Sequence, residues 1–313
     1  MRYDVAYGPA LRVAYLPSCL TCEDVMSEPI LVTGATGNVG TEVIKLLQNS
    51  GRSIRAAVRD VEQARSCLGA KIDYVPFDFE KPETFATALK DVRKLFLVRP
   101  PQIERVRKYI YPMIAQAHSA KVEHIVFLSL LGVEKQPWLP HRRIERYIES
   151  LGIPWTFLRA SFFMQNLNTI HLPEIRERNE IFIPAGKGKT SFIDVRDIAA
   201  VAVQALTTSA HVNQAYDLTG GYALDYYQVA DMFTLVLSRK IVYSNPSILS
   251  FARRMYARGF STDSIVVMLG IYGVVRLGRA NRVTPNTERL LGRAPITFST
   301  YIEDYKPCWV ASS

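Results

Sequence analysis

From residue 29 to residue 166 the chain alternates two kinds of apolar pattern. Short runs rich in β-branched and aromatic residues, at Ile30–Val32, Gly51–Arg59, Lys71–Asp78, Lys94–Val98, His124–Leu128 and Trp155–Arg159, have the composition of strands buried on both faces. Between them, apolar residues return every three or four positions: Val43, Ile44, Leu46 and Leu47, then Pro82–Leu89, Val106–Ala117 and His141–Leu151. That spacing puts them on one side of a helix. Strands separated by helix-length segments predict a doubly wound parallel sheet with right-handed crossovers. Beyond residue 167 the pattern loosens. It predicts short strands at Glu180–Pro184 and Ser191–Val195, a helix over Asp197–Leu206, a strand at Ala215–Thr219, and helices over 225–238, 247–259 and Thr262–Gly278. The expected organisation is a first domain over 26–166 and a smaller cap over 167–313, some segments of which return to the sheet.

The turn between the first strand and the first helix carries Gly34, Gly37 and Gly40 in GATGNVG. Gly34 permits a tight turn, Gly37 lets backbone approach a pyrophosphate, and Gly40 allows close helix–strand packing. The helix N-terminus then directs N–H groups and its positive dipole end at the phosphates. A strand before this turn and a helix after it are the context a dinucleotide fingerprint requires. The expected fold is therefore α/β, a Rossmann-type doubly wound parallel sheet with a smaller C-terminal α+β cap. Gly34, Thr36, Gly37, Asn38, Val39 and Gly40 are the first cofactor-binding candidates. At the end of the second strand an acid would accept from a ribose 2′-OH, whereas an arginine would take a 2′-phosphate. Arg59 stands there, followed by Asp60, and its fork of donors favours NADP(H) over NAD(H). The alternative gives the ribose to Asp60 and leaves Arg59 in solvent. Asp78 and Phe79 follow the third strand, on the adenine side. Arg99, in the stiff Arg99-Pro100-Pro101 loop after the fourth, either touches cofactor or substrate or lies on the surface.

Composition narrows the class. The 313 residues are 48% hydrophobic and 21% charged, as in a globular protein with a sizeable core. The net charge of +9 is scattered and comes with no nucleic-acid-binding signature, so a phosphate-rich cofactor and a basic surface account for it. The longest apolar run, Ile265–Val275, is too short to span a bilayer and is interrupted by glycine. Cys19 and Cys22 form a CxxC with no second ligand pair to complete a zinc site, and Cys67 and Cys308 stand alone. A reduced, cytoplasmic protein without a metal is expected, acting on a small molecule as a monomer or homodimer, with neither nucleic acid nor membrane as partner. Residues 1–25 fall outside the repeating pattern and are read as an extension, with Met26 as the natural start.

Several stretches resemble one family closely. GATGNVG at 34–40, AVRD at 57–60, VFLSLLG at 126–132, HRRIERYIESLGIPWTFLRASFFMQN at 141–166, FIDVRDIAAVA at 192–202, YDLTGG at 216–221 and LLGRAPITFSTYIEDY at 290–305 look like the NmrA-like family of atypical short-chain dehydrogenases. The resemblance covers roughly residues 29–305 and implies a substrate cleft between the two domains. The family includes NAD(P)H:quinone oxidoreductases, azoreductase-like enzymes, isoflavone-reductase relatives, ergot-alkaloid reductases, and regulators that bind a dinucleotide without turning it over.

The residues then limit the chemistry. No tyrosine is followed four positions later by lysine, so the Tyr–Lys dyad of typical short-chain dehydrogenases is missing. Quinones, azo compounds and enones, whose reduced anions are low in energy, place less demand on an acid; imines are the remaining expected acceptor type. His141 falls where the resemblance puts a functional lysine in isoflavone-reductase relatives and an HxxxE in quinone-reductase relatives. An ordinary pKa near 6.5 would let it donate a proton, with Glu145 one turn later to orient it; the plain alternative is a histidine at a helix start. Ser129, at the tip of the fifth strand, either orients substrate or satisfies a loop. Phe162, Phe163, Met164 and Asn166 follow the sixth strand, where apolar side chains either line a pocket or fill the core. The sequence thus predicts an NADPH-dependent reductase of small conjugated or aromatic acceptors, with a dinucleotide-sensing regulator as the alternative.

Overall fold

The computed structural model describes residues 28–310; the expectations for residues 1–25, Met26 and the Cys19–Cys22 pair lie outside the described residues. The first half comprises β1 (Ile30–Val32), α1 (Asn38–Asn49), β2 (Ile54–Val58), α2 (Val61–Leu68), β3 (Asp73–Pro76), α3 (Phe85–Leu89), β4 (Lys94–Val98), α4 (Val106–Tyr109), α5 (Tyr111–Ser119), β5 (His124–Leu130), α6 (Pro140–Ser150) and β6 (Trp155–Ala160). The second half comprises β7 (Phe162–Phe163), α7 (Leu172–Arg178), β8 (Glu180–Ile181), β9 (Phe192–Ile193), α8 (Val195–Thr207), β10 (Gln214–Leu218), α9 (Tyr226–Leu237), β11 (Val242–Tyr243), α10 (Ile248–Ala257), α11 (Thr262–Arg276), α12 (Asn286–Leu291), α13 (Phe298–Asp304) and α14 (Lys306–Trp309).

Seven parallel strands form one sheet in the order β10-β6-β5-β4-β1-β2-β3. Successive strand residues face opposite sides, and both sides are apolar. Leu31, Ile125 and Phe127 join a core with α3, α5 and α6, while Ile30, Val32, Val126 and Leu128 join one with α1 and α8. A third core is built from α7, α9, α10, α11 and α13. A two-residue alternation joins the third core to the α1/α8 core. Phe162 packs against the third core and Phe163 against the α1/α8 core, and their parallel partners Phe192 and Ile193 divide the same way.

The departures from the periodic pattern have local causes. Helix α2 was not expected, because it buries only Ala64 and so shows no apolar stripe; its signal is the Asp60 carboxylate, which accepts the Gln63 N–H at 2.9 Å as an N-cap. The helix expected over 106–117 is split at Ile110, ahead of Pro112, which has no amide to continue the first segment. The strand at 180–184 keeps only Glu180–Ile181, paired with Val242–Tyr243. Helices α12 and α13 were not read from the pattern; α12 packs on α8 and β10, at the edge of the sheet.

Candidate active site

Strand order reverses at β1, which has β2 on one side and β4 on the other. In an open α/β sheet such a point leaves a crevice at the carboxyl ends of the strands. Thr33, whose role no spacing announces, pins its floor: the hydroxyl donates to the Phe96 carbonyl at 3.2 Å and accepts the Val98 N–H at 2.8 Å. Gly34 follows with φ +61°, in the left-handed region, and a Cβ there would lie 3.1 Å from that of Val98. A Cβ on Gly40 would lie 2.1 Å from the Gly34 carbonyl oxygen, so α1 sits against the turn at a distance only glycine allows. Thr41 is the first residue of α1 whose amide finds a backbone partner, Gly37 O at 3.0 Å. The amides of Asn38, Val39 and Gly40 have none among the described residues, and they open toward exposed Thr36, Gly37 and Asn38. The side chain of Val39 is buried in the α1/α8 core, so only its amide faces the turn. This cradle fits a dinucleotide pyrophosphate.

At the end of β2, Arg59 and Asp60 are both exposed, but the Asp60 carboxylate is engaged as the α2 cap, whereas Arg59 forms no ion pair among the described residues. After β3, Asp78 is half-buried and accepts the Glu80 N–H at 3.0 Å. The Phe79 ring is not free to lie on an adenine; it is buried edge-on against Phe77 at 4.8 Å. Arg99 folds back on its own loop, donating to the carbonyls of Pro100, Pro101 and Ile103, the last at 2.7 Å. Burial lowers its pKa to about 10, and its Nε is buried without a partner among the described residues.

The expected relation between His141 and Glu145 is replaced by another. Both are buried on the inner face of α6, yet Glu145 bonds elsewhere. It accepts from the Ser129 hydroxyl at 2.7 Å, from Arg142 at 2.8 Å and from Arg159 at 3.0 and 2.9 Å. Ser129 lies inside β5 rather than at its tip, fully buried, and its hydroxyl proton is directed at Glu145 instead of the crevice. Arg159 continues through Glu134 at 3.7 Å to Arg282, which also meets Asp217 at 2.5 Å. This chain of charges ties β5, β6, α6, β10 and the segment before α12 together. Its members are scattered through the sequence, so spacing could not reveal it. His141, stacked on Phe127 with centroids 5.9 Å apart, is held neutral: burial, with Arg99's charge acting the same way, lowers its pKa to about 3. Its Nδ1 is buried without a partner among the described residues. His141 therefore offers a neutral imidazole N–H rather than an imidazolium proton at neutral pH.

The segment after β6 is positioned by Gln165, also unforeseen. Its amide donates to Asp194 at 2.9 Å and its carbonyl oxygen accepts the Val195 N–H at 3.1 Å, fastening the segment to the start of α8. Phe162 and Phe163 are half-buried and divided between two cores. Met164 is buried and lines a small cavity of about 210 Å³ with Phe192, Tyr222, Leu224, Ile296 and Phe298. Asn166 ends the turn and its carbonyl accepts the His171 N–H at 3.1 Å. Among the described residues, no group of His, Cys, Asp and Glu could hold a metal ion.

Comparison with known proteins agrees with this architecture. The model of the NmrA-like family matches residues 26–269. An NAD(P)H azoreductase from Xenophilus azovorans is 33% identical, with 90% of this chain and all of that protein (100%) covered. An agroclavine dehydrogenase from Claviceps fusiformis is 30% identical over 90% of this chain and 97% of its own length. Among solved structures, an NADPH-dependent quinone oxidoreductase from Escherichia coli, complexed with NADPH, superposes with a TM-score of 0.77 at 26% identity, covering 88% of this chain and 99% of that one. The chain belongs to the NmrA-like family and is an oxidoreductase of its Rossmann-type, atypical short-chain dehydrogenase kind.

Proposed function

We propose that the protein reduces a small conjugated or aromatic acceptor of the quinone, azo, enone or imine class at the expense of NADPH. One observation carries the reading. The free amides of residues 38–40 and an Arg59 without an ion pair among the described residues suit a phosphorylated dinucleotide, while Ser129 directs its proton at Glu145 and His141 is neutral. The nicotinamide cofactor supplies the hydride. Amides 38–40 would hold its pyrophosphate, and Arg59 its 2′-phosphate.

Arg99 follows β4 at the carboxyl end of the sheet and its charge acts on His141, and each has a buried nitrogen without a partner among the described residues. His141 would donate one neutral N–H bond to an acceptor oxygen or nitrogen, steadying charge as it develops there. The Glu145 network fixes β5, β6 and α6 without itself yielding a proton. Such a site suits acceptors whose reduced anions water can protonate, and it is poorly equipped for simple ketones. Phe162, Phe163, Met164 and Asn166 would border the acceptor where the cores meet, excluding water.

The test is absorbance-monitored NADPH consumption by the purified protein with quinones, an azo dye, conjugated enones and a simple ketone. Turnover with one conjugated class and none with the ketone is expected. Tight NADPH binding with no turnover on any of these acceptors would contradict the acceptor assignment and favour the dinucleotide-sensing alternative.

A further inference from the structure

The apolar run 265–275, too short to cross a bilayer, lies in α11. Ile265, Met268, Tyr272 and Val275 face the third core. The opposite side is apolar as well: Val266, Val267, Ile271, Val274 and Leu277 are exposed, Val266 by 62% and Leu277 by 70%, with Gly270 between them. A three- and four-residue recurrence of exposed aliphatic side chains along one helix is a continuous stripe, which an isolated surface residue is not. The neighbouring α10, joined to α11 by a short turn and in contact with it, adds Leu249 and Tyr256, exposed by 71% and 70%.

The charges carried by this stretch are predominantly positive. Between residues 248 and 282 the ionised side chains are Arg253, Arg254, Arg258, Arg276, Arg279 and Arg282, against Asp263 alone. Arg254 and Arg258 are neutralised by Glu180 and Glu174, and Arg282 by Glu134 and Asp217. Arg253, Arg276 and Arg279 are exposed and form no ion pair among the described residues. The loop 186–189 lies on the last turn of α11, where a Cβ on Gly188 would meet the Val275 carbonyl oxygen. It brings exposed Lys187 and Lys189 to the same end.

We propose that the α10–α11 face docks on an anionic lipid surface. The aliphatic stripe enters the headgroup–acyl boundary in the plane of the membrane, Tyr256 sits at the interface, and Lys187, Lys189, Arg276 and Arg279 meet lipid phosphates. The charge favours this occupant over a second copy of the chain. Two-fold pairing through this face would bring its unpaired arginines against their own copies, since Asp263 is the one acid between residues 248 and 282.

The test is co-sedimentation of the full chain with vesicles of phosphatidylcholine alone or mixed with phosphatidylglycerol, at low and high salt. Solution mass is measured in parallel. Two variants at exposed positions separate the components: Lys187→Glu with Arg279→Glu, and Val266→Ser with Val274→Ser and Leu277→Ser. Their thermal transitions report that the fold is intact. Binding to the mixed vesicles only, weakened by salt, by about fivefold or more for each cation lost and by the serine variant, is expected. Absence of binding to the mixed vesicles, or equal binding by the variants, overturns the proposal. A dimer that the serine variant dissociates also overturns it and assigns the face to a second copy.

Discussion

At the scale of single residues, Glu145 has the heaviest structural role in the site. Its carboxylate is fully buried and satisfied by Ser129, Arg142 and Arg159. Removing one member of a buried charge network leaves the others without compensation, at about 3–5 kcal/mol. Glu145→Ala is therefore expected to lower unfolding free energy by about 3 kcal/mol in urea, and Ser129→Ala by about 1 kcal/mol. Equal midpoints for wild type and Glu145→Ala would contradict the network. This is also where the sequence was least informative. The i,i+4 spacing of His141 and Glu145 correctly put them on one helix face, but not which partner each would find. Arg159 reaches Glu145 from β6, on the face of the sheet that α6 covers, and nothing in local spacing marks that contact. The burial that holds His141 neutral is likewise a property of packing, invisible to its ordinary pKa.

At the scale of elements, the strand–turn–helix around Gly34–Gly40 was legible almost completely, because its constraints are local. A left-handed turn at Gly34 and a close backbone approach at Gly40 each demand glycine at a fixed offset. Gly40→Ala would force its Cβ against the Gly34 carbonyl, whose position is set by the turn itself. The expected result is a loss of at least about tenfold in dinucleotide affinity by calorimetry, with a lowered thermal transition. Unchanged affinity would show that the turn can yield. Elements without an apolar stripe or a glycine signature were missed. Helix α2 is announced only by its cap, and α12 and α13 gain their positions from contacts with distant parts of the chain. Asp197 shows how: buried in α8, it accepts the Ile296 N–H at 2.7 Å and pairs with Arg293 at 2.7 Å.

At the scale of the molecule, buried histidines in different cores link stability to pH. Burial lowers His141 and His171 to about 3, and His124 to about 4, from an ordinary value near 6.5. Between those limits the unfolded chain binds more protons than the folded one. Stability is therefore full above about pH 6.5 and falls as pH is lowered through the window. Each histidine contributes a slope of up to about 1.4 kcal/mol per pH unit. Urea midpoints at pH 7.5 and 5 should differ clearly, and His171→Asn should reduce the difference; a flat profile would contradict it. The distribution of apolar residues foretold a parallel sheet and a second, less regular region. It did not foretell that one dipeptide, Phe162-Phe163, divides its side chains between the two. The most direct measurement of the central claim is the ratio of kcat/KM with NADPH to that with NADH, for an accepted acceptor, in wild type and in Arg59→Ala. A wild-type preference for NADPH that drops by about tenfold or more in Arg59→Ala is the expected result. A preference for NADH, or a ratio unmoved by the substitution, would contradict the assignment of Arg59 to the 2′-phosphate.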